Sequence, residues 1–244
     1  MKNWHTLEAD VKKIMNKHFT KGRAGAKINK VIVHHNAGRL SIDQIWNVWQ
    51  TRPASAHYQV DASGRIGQLV WDSDMAWHAK NLAANRTSIG IEHANSSTPT
   101  SPLTEETLEN GAHLVAAVCV RFKLGRPVWG KNVFGHSDFA STACPGTIGK
   151  GRSQHAKYMR RAQYWYDQMT GAKPAPPKPK SNAKADLVRV TANALNYRSG
   201  PGTNYKVNGT IRDRGVYTIT ERKNGWGRLK SGAGWIHLGY TKSA

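Results

Sequence analysis

Apolar and polar positions follow two periods along this chain. Leu7, Val11, Ile14 and Met15 recur at helical intervals, which predicts a helix near the start. Lys30-Val31-Ile32-Val33-His34 is a short apolar run rich in β-branched residues and reads as a buried strand ending on histidine. Ser41-Ile42-Asp43-Gln44 has capping-box spacing, with Ile45, Trp46 and Trp49 following on one helical face. His57–Val60 and Arg65–Val70 flank the turn Asp61-Ala62-Ser63-Gly64, which predicts a hairpin. Thr87–Glu92 reads as another strand. Thr104 caps a helix whose first turn carries Glu105 and Glu106, where negative charge suits the dipole. Leu108, Ala112, Val115, Cys119 and Phe122 line its apolar face, and a last helix covers about residues 153–169. This succession predicts an α/β domain, a mixed β-sheet covered by helices.

The pattern changes abruptly after residue 170. Four prolines interleaved with lysine between Pro174 and Lys180 favour extended polyproline II and forbid a helix. Beyond them no helical period appears. Leu187–Thr191, Gly215–Thr220, Gly225–Leu229 and Gly234–His237 are short strand-like runs between Gly, Asn and Pro turns, which predicts a small all-β barrel. The expected organisation is a domain over 1–170, a linker over 171–185 and a second domain over 186–244.

Composition narrows the class. Nine Trp, eight Tyr and four Phe in 244 residues suffice for packed cores, and no apolar run approaches the ~20 residues of a membrane span. The first residues lack the apolar region and small-residue cleavage site of a secretory signal, so synthesis in a cytoplasm without export by that route is expected. Cys119 and Cys144 cannot form a disulfide framework and are read as a reduced pair with separate roles. The net charge of +21 is spread along the chain, with +10 on residues 1–170 and +8 on residues 187–244. Such a field favours a polyanion: nucleic acid, anionic membrane or anionic cell wall. No helix-turn-helix, zinc-finger or RNA-recognition motif accompanies it, so no specific nucleic acid partner is expected.

Three stretches could carry chemistry. His34 and His35 end a strand, Glu92 ends another, and His136 and Cys144 lie eight residues apart on a polar loop. A catalytic zinc site takes three ligands from His, Cys or carboxylate and keeps one position open. The spacing alone equally suits a core histidine, a turn histidine and a buried cysteine acting as a small hydrophobe. Strand alternation lets only one of His34 and His35 face a common site.

Taken in order, Val31-Ile32-Val33-His34-His35-Asn36-Ala37-Gly38, Ser55-Ala56-His57-Tyr58, Ala76-Trp77-His78-Ala79, Ser88-Ile89-Gly90-Ile91-Glu92 and Gly135-His136 through Cys144-Pro145-Gly146 resemble the amidase-2 family. That family includes phage-type lysozymes, AmpD-type amidases and peptidoglycan recognition proteins. The resemblance covers residues 28–148. It implies Zn2+ bound by His34, His136 and Cys144, with His35 in a packing or supporting role. One branch of the family carries Tyr and Lys at the positions of Ala56 and Thr142, whereas the AmpD-type branch uses a glutamate matching Glu92. Glu92 is therefore expected to transfer the proton. Thr142 is expected either to donate to the oxyanion or to stabilise its loop. Trp77 and His78 fall where the family's substrate groove has its wall. Leu195–Gly202, Tyr205-Lys206-Val207, Asn224-Gly225-Trp226 and Gly234-Trp235-Ile236 resemble bacterial SH3 (SH3b) modules, with Tyr197 where valine is usual. These modules imply wall targeting, with Tyr205, Trp226 and Trp235 as candidate contacts.

The expected function is then hydrolysis of the amide between N-acetylmuramic acid and L-Ala in bacterial peptidoglycan. A phage endolysin released through a holin is the expected setting, with anionic wall polymers as a further partner. A bacterial autolysin and a non-catalytic peptidoglycan-binding protein are the alternatives.

Overall fold

The computed structural model describes residues 8–171 and 186–244. The chain divides into two compact units, residues 1–174 and 175–244. Leu7 and the linker residues 172–185 lie outside the described residues.

The first unit is organised by Lys30–His35 (β3), in which every residue after Lys30 is buried. Each fully buried Val or Ile side chain there is worth about 1.5–3 kcal/mol. The remaining elements are Val11–Lys12 (β1), Phe19–Thr20 (β2), Ile42–Thr51 (α1), Tyr58–Val60 (β4), Ile66–Gln68 (β5), Met75–Ala76 (β6), Leu82–Arg86 (α2), Ser88–His93 (β7), Glu105–Arg121 (α3), Val133–Gly135 (β8) and His155–Thr170 (α4). The main sheet runs β1-β5-β4-β7-β3-β8. Strands β4, β7, β3 and β8 are parallel neighbours, while β5 returns antiparallel to β4 through the expected hairpin. β2 and β6 form a separate antiparallel pair.

Alternation sorts the sheet's two faces. Val31, Val33, Tyr58, Val60, Ile89 and Ile91 pack under α3 and α4. On the opposite face Ile32 packs against Ala79 and Ala84, and α1 seats Ile42, Ile45 and Trp49 on Met15, Leu69, Val70 and Ala76. The capping box forms: Gln44 N–H donates to Ser41 Oγ, and Ser41 N–H donates to Gln44 Oε1. Such a cap contributes about 1 kcal/mol.

Among the described residues 8–15 the expected N-terminal helix does not form. Val11 and Lys12 extend the sheet beside Gly67 and Gln68. Lys13 and Met15 continue the pairing with N–H bonds to the carbonyls of Gln68 and Leu69. Val11 and Ile14 are β-branched and suit that extended edge, so tertiary pairing overrides a four-position helical period.

The second unit is all-β in its described residues. Leu187–Val190 (β9), Leu195–Arg198 (β10), Val207–Ile211 (β11), Val216–Lys223 (β12), Trp226–Leu229 (β13), Trp235–His237 (β14) and Thr241–Ser243 (β15) form one antiparallel sheet in the order β11-β10-β14-β13-β12-β9-β15. Its core is Val188, Val190, Leu195, Ile211, Ile219, Leu229 and Ile236. Asn224 and Gly225, both at positive φ, join β12 to β13 in the two-residue turn whose twist matches a hairpin. Strands β10, β11 and β15 lie outside the strand-like runs that the sequence pattern predicts.

Candidate metal centre and active site

The carboxyl ends of β7, β3 and β8 lie side by side, and each delivers a polar residue. His34 is the cross-strand partner of Glu92, so the two share a face, and His136 follows β8 directly. The loop after His136 folds back through Ser137 N–H to Cys144 carbonyl (3.0 Å) and Gly135 N–H to Asp138 Oδ2 (2.8 Å). That fold returns Cys144 to the sheet. One ligand atom each from His34, His136 and Cys144 lies within 4.8 Å of the others. His34 Nδ1 and Cys144 Sγ are 3.7 Å apart, and the His34 and His136 rings are 4.7 Å apart between centroids.

These donors suit a metal. Ligands at roughly 2.0–2.3 Å in tetrahedral array stand about 3.3–3.8 Å from one another, which the Nδ1–Sγ separation matches. His136 Nε2 is buried with no hydrogen-bond partner, an expensive condition unless a cation or substrate faces it. Burial holds the His34, His78 and His136 pKa values below the ordinary imidazole value, keeping them neutral as ligation requires. Burial and the nearby Glu92 push the Cys144 thiol up, opposed by the His35 N–H that donates to Sγ at 3.3 Å. A bound cation would reverse that balance. His35 itself points to the other face, its Nδ1 buried and unpartnered.

Glu92 retains some exposed surface, yet its Oε2 is enclosed and unpartnered. Burial pushes its carboxyl up to about 8, with Arg52 pulling weakly the other way. Ala56, at the position where the other branch places tyrosine, is fully buried beneath α1 and offers no proton.

A groove of about 480 Å3 contains all seven expected residues: His34, Trp77, His78, Glu92, His136, Thr142 and Cys144. Thr142 is exposed, and its Oγ1 accepts the Cys144 N–H at 3.2 Å, leaving its hydroxyl proton to be donated. Trp77 is 37% exposed, with its indole N–H on Thr20 Oγ1. His78 is 7% exposed, and its ring nitrogens face His34 and Ser88. Cys119 is core, as expected, and both cysteines are unpaired.

Sequence reasoning missed Ser88, Arg52 and Arg23. The Arg23 guanidinium is buried and donates to the carbonyls of Asp72, Asn85, Arg86 and Ser88, tying α2 and β7 together. A lone arginine in a Gly-rich stretch gave no signal of this. Ser88 was legible in principle, because Ser88, Gly90 and Glu92 alternate with Ile89 and Ile91.

A polar groove over the carboxyl ends of parallel strands, with three donors at its floor, is the architecture of an α/β enzyme site. A family profile described as N-acetylmuramoyl-L-alanine amidase matches residues 24–147, about half of the chain. The chain belongs to this amidase-2 family. It is 31% identical over 99 residues to N-acetylmuramoyl-L-alanine amidase A of Achromobacter lyticus, covering 40% of this chain and 55% of that protein. The match thus spans little more than half the length of that curated relative. The fold is similar to the structure of PlyL (TM-score 0.53, 20% identity, 65% of this chain and 99% of that one). It is also similar to the solution structure of the PlyG catalytic domain (TM-score 0.54, 16% identity, 69% and 99%). No described helix is long and apolar enough to cross a membrane.

Proposed function

We propose that the chain hydrolyses the amide between the lactyl group of N-acetylmuramic acid and L-Ala of bacterial peptidoglycan, as a zinc-dependent amidase. The observation that carries this reading is the convergence of His34, His136 and Cys144 within 4.8 Å, on one groove with Glu92, in an amidase-2 chain. His34, His136 and Cys144 would hold Zn2+, which supplies Lewis acidity and activates water near neutral pH. Glu92, on the groove side beside His34, accepts the proton of the attacking water and delivers it to the leaving amine of L-Ala. Thr142 directs its hydroxyl proton towards the oxygen that gains charge. Trp77 provides an apolar face along the groove for a sugar ring.

The domain organisation we propose is catalytic residues 1–170, a linker over 171–185 and an SH3b-type wall-binding module over 186–244. In the second unit a groove of about 350 Å3 is lined by Asn196, Arg198, Trp226, His237 and Tyr240. Trp226 and His237 meet edge to face at 5.1 Å, and Tyr240 is 54% exposed. Tyr205 is also exposed, whereas Trp226 and Trp235 are mostly buried and serve the core first. The net charge of +21 favours anionic wall polymers as a second attraction. The setting we propose is an endolysin-type lytic enzyme that acts on the wall. Deleting residues 171–244 is expected to spare hydrolysis of soluble muropeptides and weaken binding to whole walls, because tethering raises the local substrate concentration.

Digestion of purified walls followed by chain-end analysis tests the reaction. New L-Ala amino termini with intact glycan strands are expected, and chelator should abolish them until zinc is restored. New reducing sugar ends, or cuts within the stem peptide that leave L-Ala blocked, would refute the amidase reading. Wall binding with no new ends of any kind would identify a recognition protein instead.

A further inference from the structure

His34 presents one ring nitrogen to Cys144, so that nitrogen must carry a lone pair and not a proton if it is to ligate. Which tautomer His34 adopts is decided elsewhere. Its other nitrogen, Nε2, lies 3.0 Å from His78 Nδ1. The two rings meet edge to face, at 89° and 5.0 Å between centroids. On the far side of His78, Nε2 lies 3.2 Å from Ser88 Oγ. The Ser88 hydroxyl sits 2.6 Å from the carbonyl oxygen of Ala84.

Proton counting along this row has one solution for neutral rings. A carbonyl only accepts, so the Ser88 proton points to Ala84. Ser88 Oγ then receives its bond from His78 Nε2–H. A neutral imidazole carries one N–H, so His78 Nδ1 is an acceptor, and the proton between the two histidines belongs to His34 Nε2. His34 Nδ1 is left bare, 3.7 Å from Cys144 Sγ. The row is rigid as well as ordered. Asn85 Oδ1 accepts the backbone N–H groups of His78 and Ala79 at 3.2 and 2.8 Å, and His78 packs against Gly90 where any side chain would collide with its ring.

We propose that His78 is a positioning residue for the metal: anchored by Ser88 and the Ala84 carbonyl, it fixes the His34 tautomer and ring orientation so that Nδ1 is the ligating atom. The inference rests on the metal reading above. It gives His78 a role beneath the groove, in place of the substrate contact implied by family resemblance.

The test measures zinc affinity of the full chain by competition with a chromophoric chelator, beside the visible spectrum of the Co2+-substituted protein. His78→Phe keeps the ring volume and removes the acceptor. His78→Asn keeps an acceptor near the Nδ1 position, and Ser88→Ala removes only the anchor. Losing such a support weakens metal binding about 10–100-fold. His78→Phe is expected to show that loss with an altered Co2+ spectrum, His78→Asn to recover most of it, and Ser88→Ala to fall near the lower end. A metal-free circular-dichroism melt separates lost support from lost fold, and if His78→Phe fails to fold, Ser88→Ala decides. Wild-type affinity and an unchanged spectrum in the folded His78→Phe variant, or in Ser88→Ala where that variant does not fold, would overturn the proposal while leaving the metal reading intact. Failure of the wild-type chain to bind zinc would overturn both.

Discussion

Gly90→Ala is a substitution that ordinary propensity and this structure predict with opposite signs. Gly90 lies inside β7, where its φ is unremarkable and glycine costs conformational entropy, so alanine would normally gain about 0.5–1 kcal/mol. Here a Cβ would stand 2.7 Å from Cγ of His78 and 2.8–2.9 Å from Cδ2 and Nδ1. Those are the root and body of a buried ring, not the end of a flexible chain, so either the ring or the strand must move. Overpacking a core costs about 1–3 kcal/mol. A displaced His78 also strains two buried hydrogen bonds, to His34 and Ser88, each worth about 1 kcal/mol net. Set against the propensity gain, the expected net loss is about 2–4 kcal/mol. Among the described residues α-helices occur only in the first unit, so the circular-dichroism signal at 222 nm follows that unit. In chelator, its Tm should fall by roughly 4–16 °C, given about 2–4 °C per kcal/mol at this size. The three nearest atoms all belong to the His78 ring, so in a His78→Ala background the same substitution should become neutral or mildly stabilising. An unchanged or raised Tm for Gly90→Ala alone would show that the His78 ring does not pack against β7.

Three further outcomes are expected. Purified protein should carry about one zinc per chain, and Cys144→Ser or His34→Ala should lose most of it, as elemental analysis would show; full retention in both would refute the site. Glu92→Gln should keep zinc and fold while turnover of soluble muropeptide drops roughly 10²–10⁴-fold, and near-normal turnover would remove Glu92 from proton transfer. Burial holds His93 down to about 4 against 6.5 when unfolded, opposed by the His34 carbonyl that accepts from Nδ1–H, while Nε2 accepts from Tyr158. Its contribution, about 3 kcal/mol, is therefore complete above pH 6.5 and lost as pH falls towards 4; urea titrations of metal-free protein across that window should show the loss, and His93→Asn should remove about that share of it, the rest staying with the other buried histidines.

Much of the fold was legible because burial is periodic. The β-branched run ending at His34, the capping box at Ser41, the Asp61–Gly64 turn and the charged first turn of α3 each state a local preference that the tertiary structure keeps. Where local preference and tertiary pairing disagree, at Val11–Met15, the pairing wins. The gathering of His34, His136 and Cys144 followed from family resemblance, since neither a spacing of eight residues nor a strand-end histidine specifies a ligand. The support beneath them was not legible. That Ser88 orders the protons of two histidines depends on a carbonyl in the middle of a five-residue helix, which no residue pattern announces.

The hydrophobic pattern nevertheless constrains the chemistry more tightly than its role in folding suggests. In β7, Ile89 and Ile91 fill the layer beneath α3 and α4, which leaves Ser88, Gly90 and Glu92 on the groove side. In β3, Val31 and Val33 enter the same apolar layer, so His34 shares the groove side with Glu92. A slip of one residue in β7 would carry Glu92 into an apolar layer lined by Leu108, Ala112 and Val115. It would also drive an isoleucine into the space filled by the His78 ring, where overpacking costs about 1–3 kcal/mol. The apolar residues thus hold the register in which Glu92, proposed for proton transfer, His34, proposed as a ligand, and Ser88 come to one face. The site's precision is inherited from the packing of the face opposite to it.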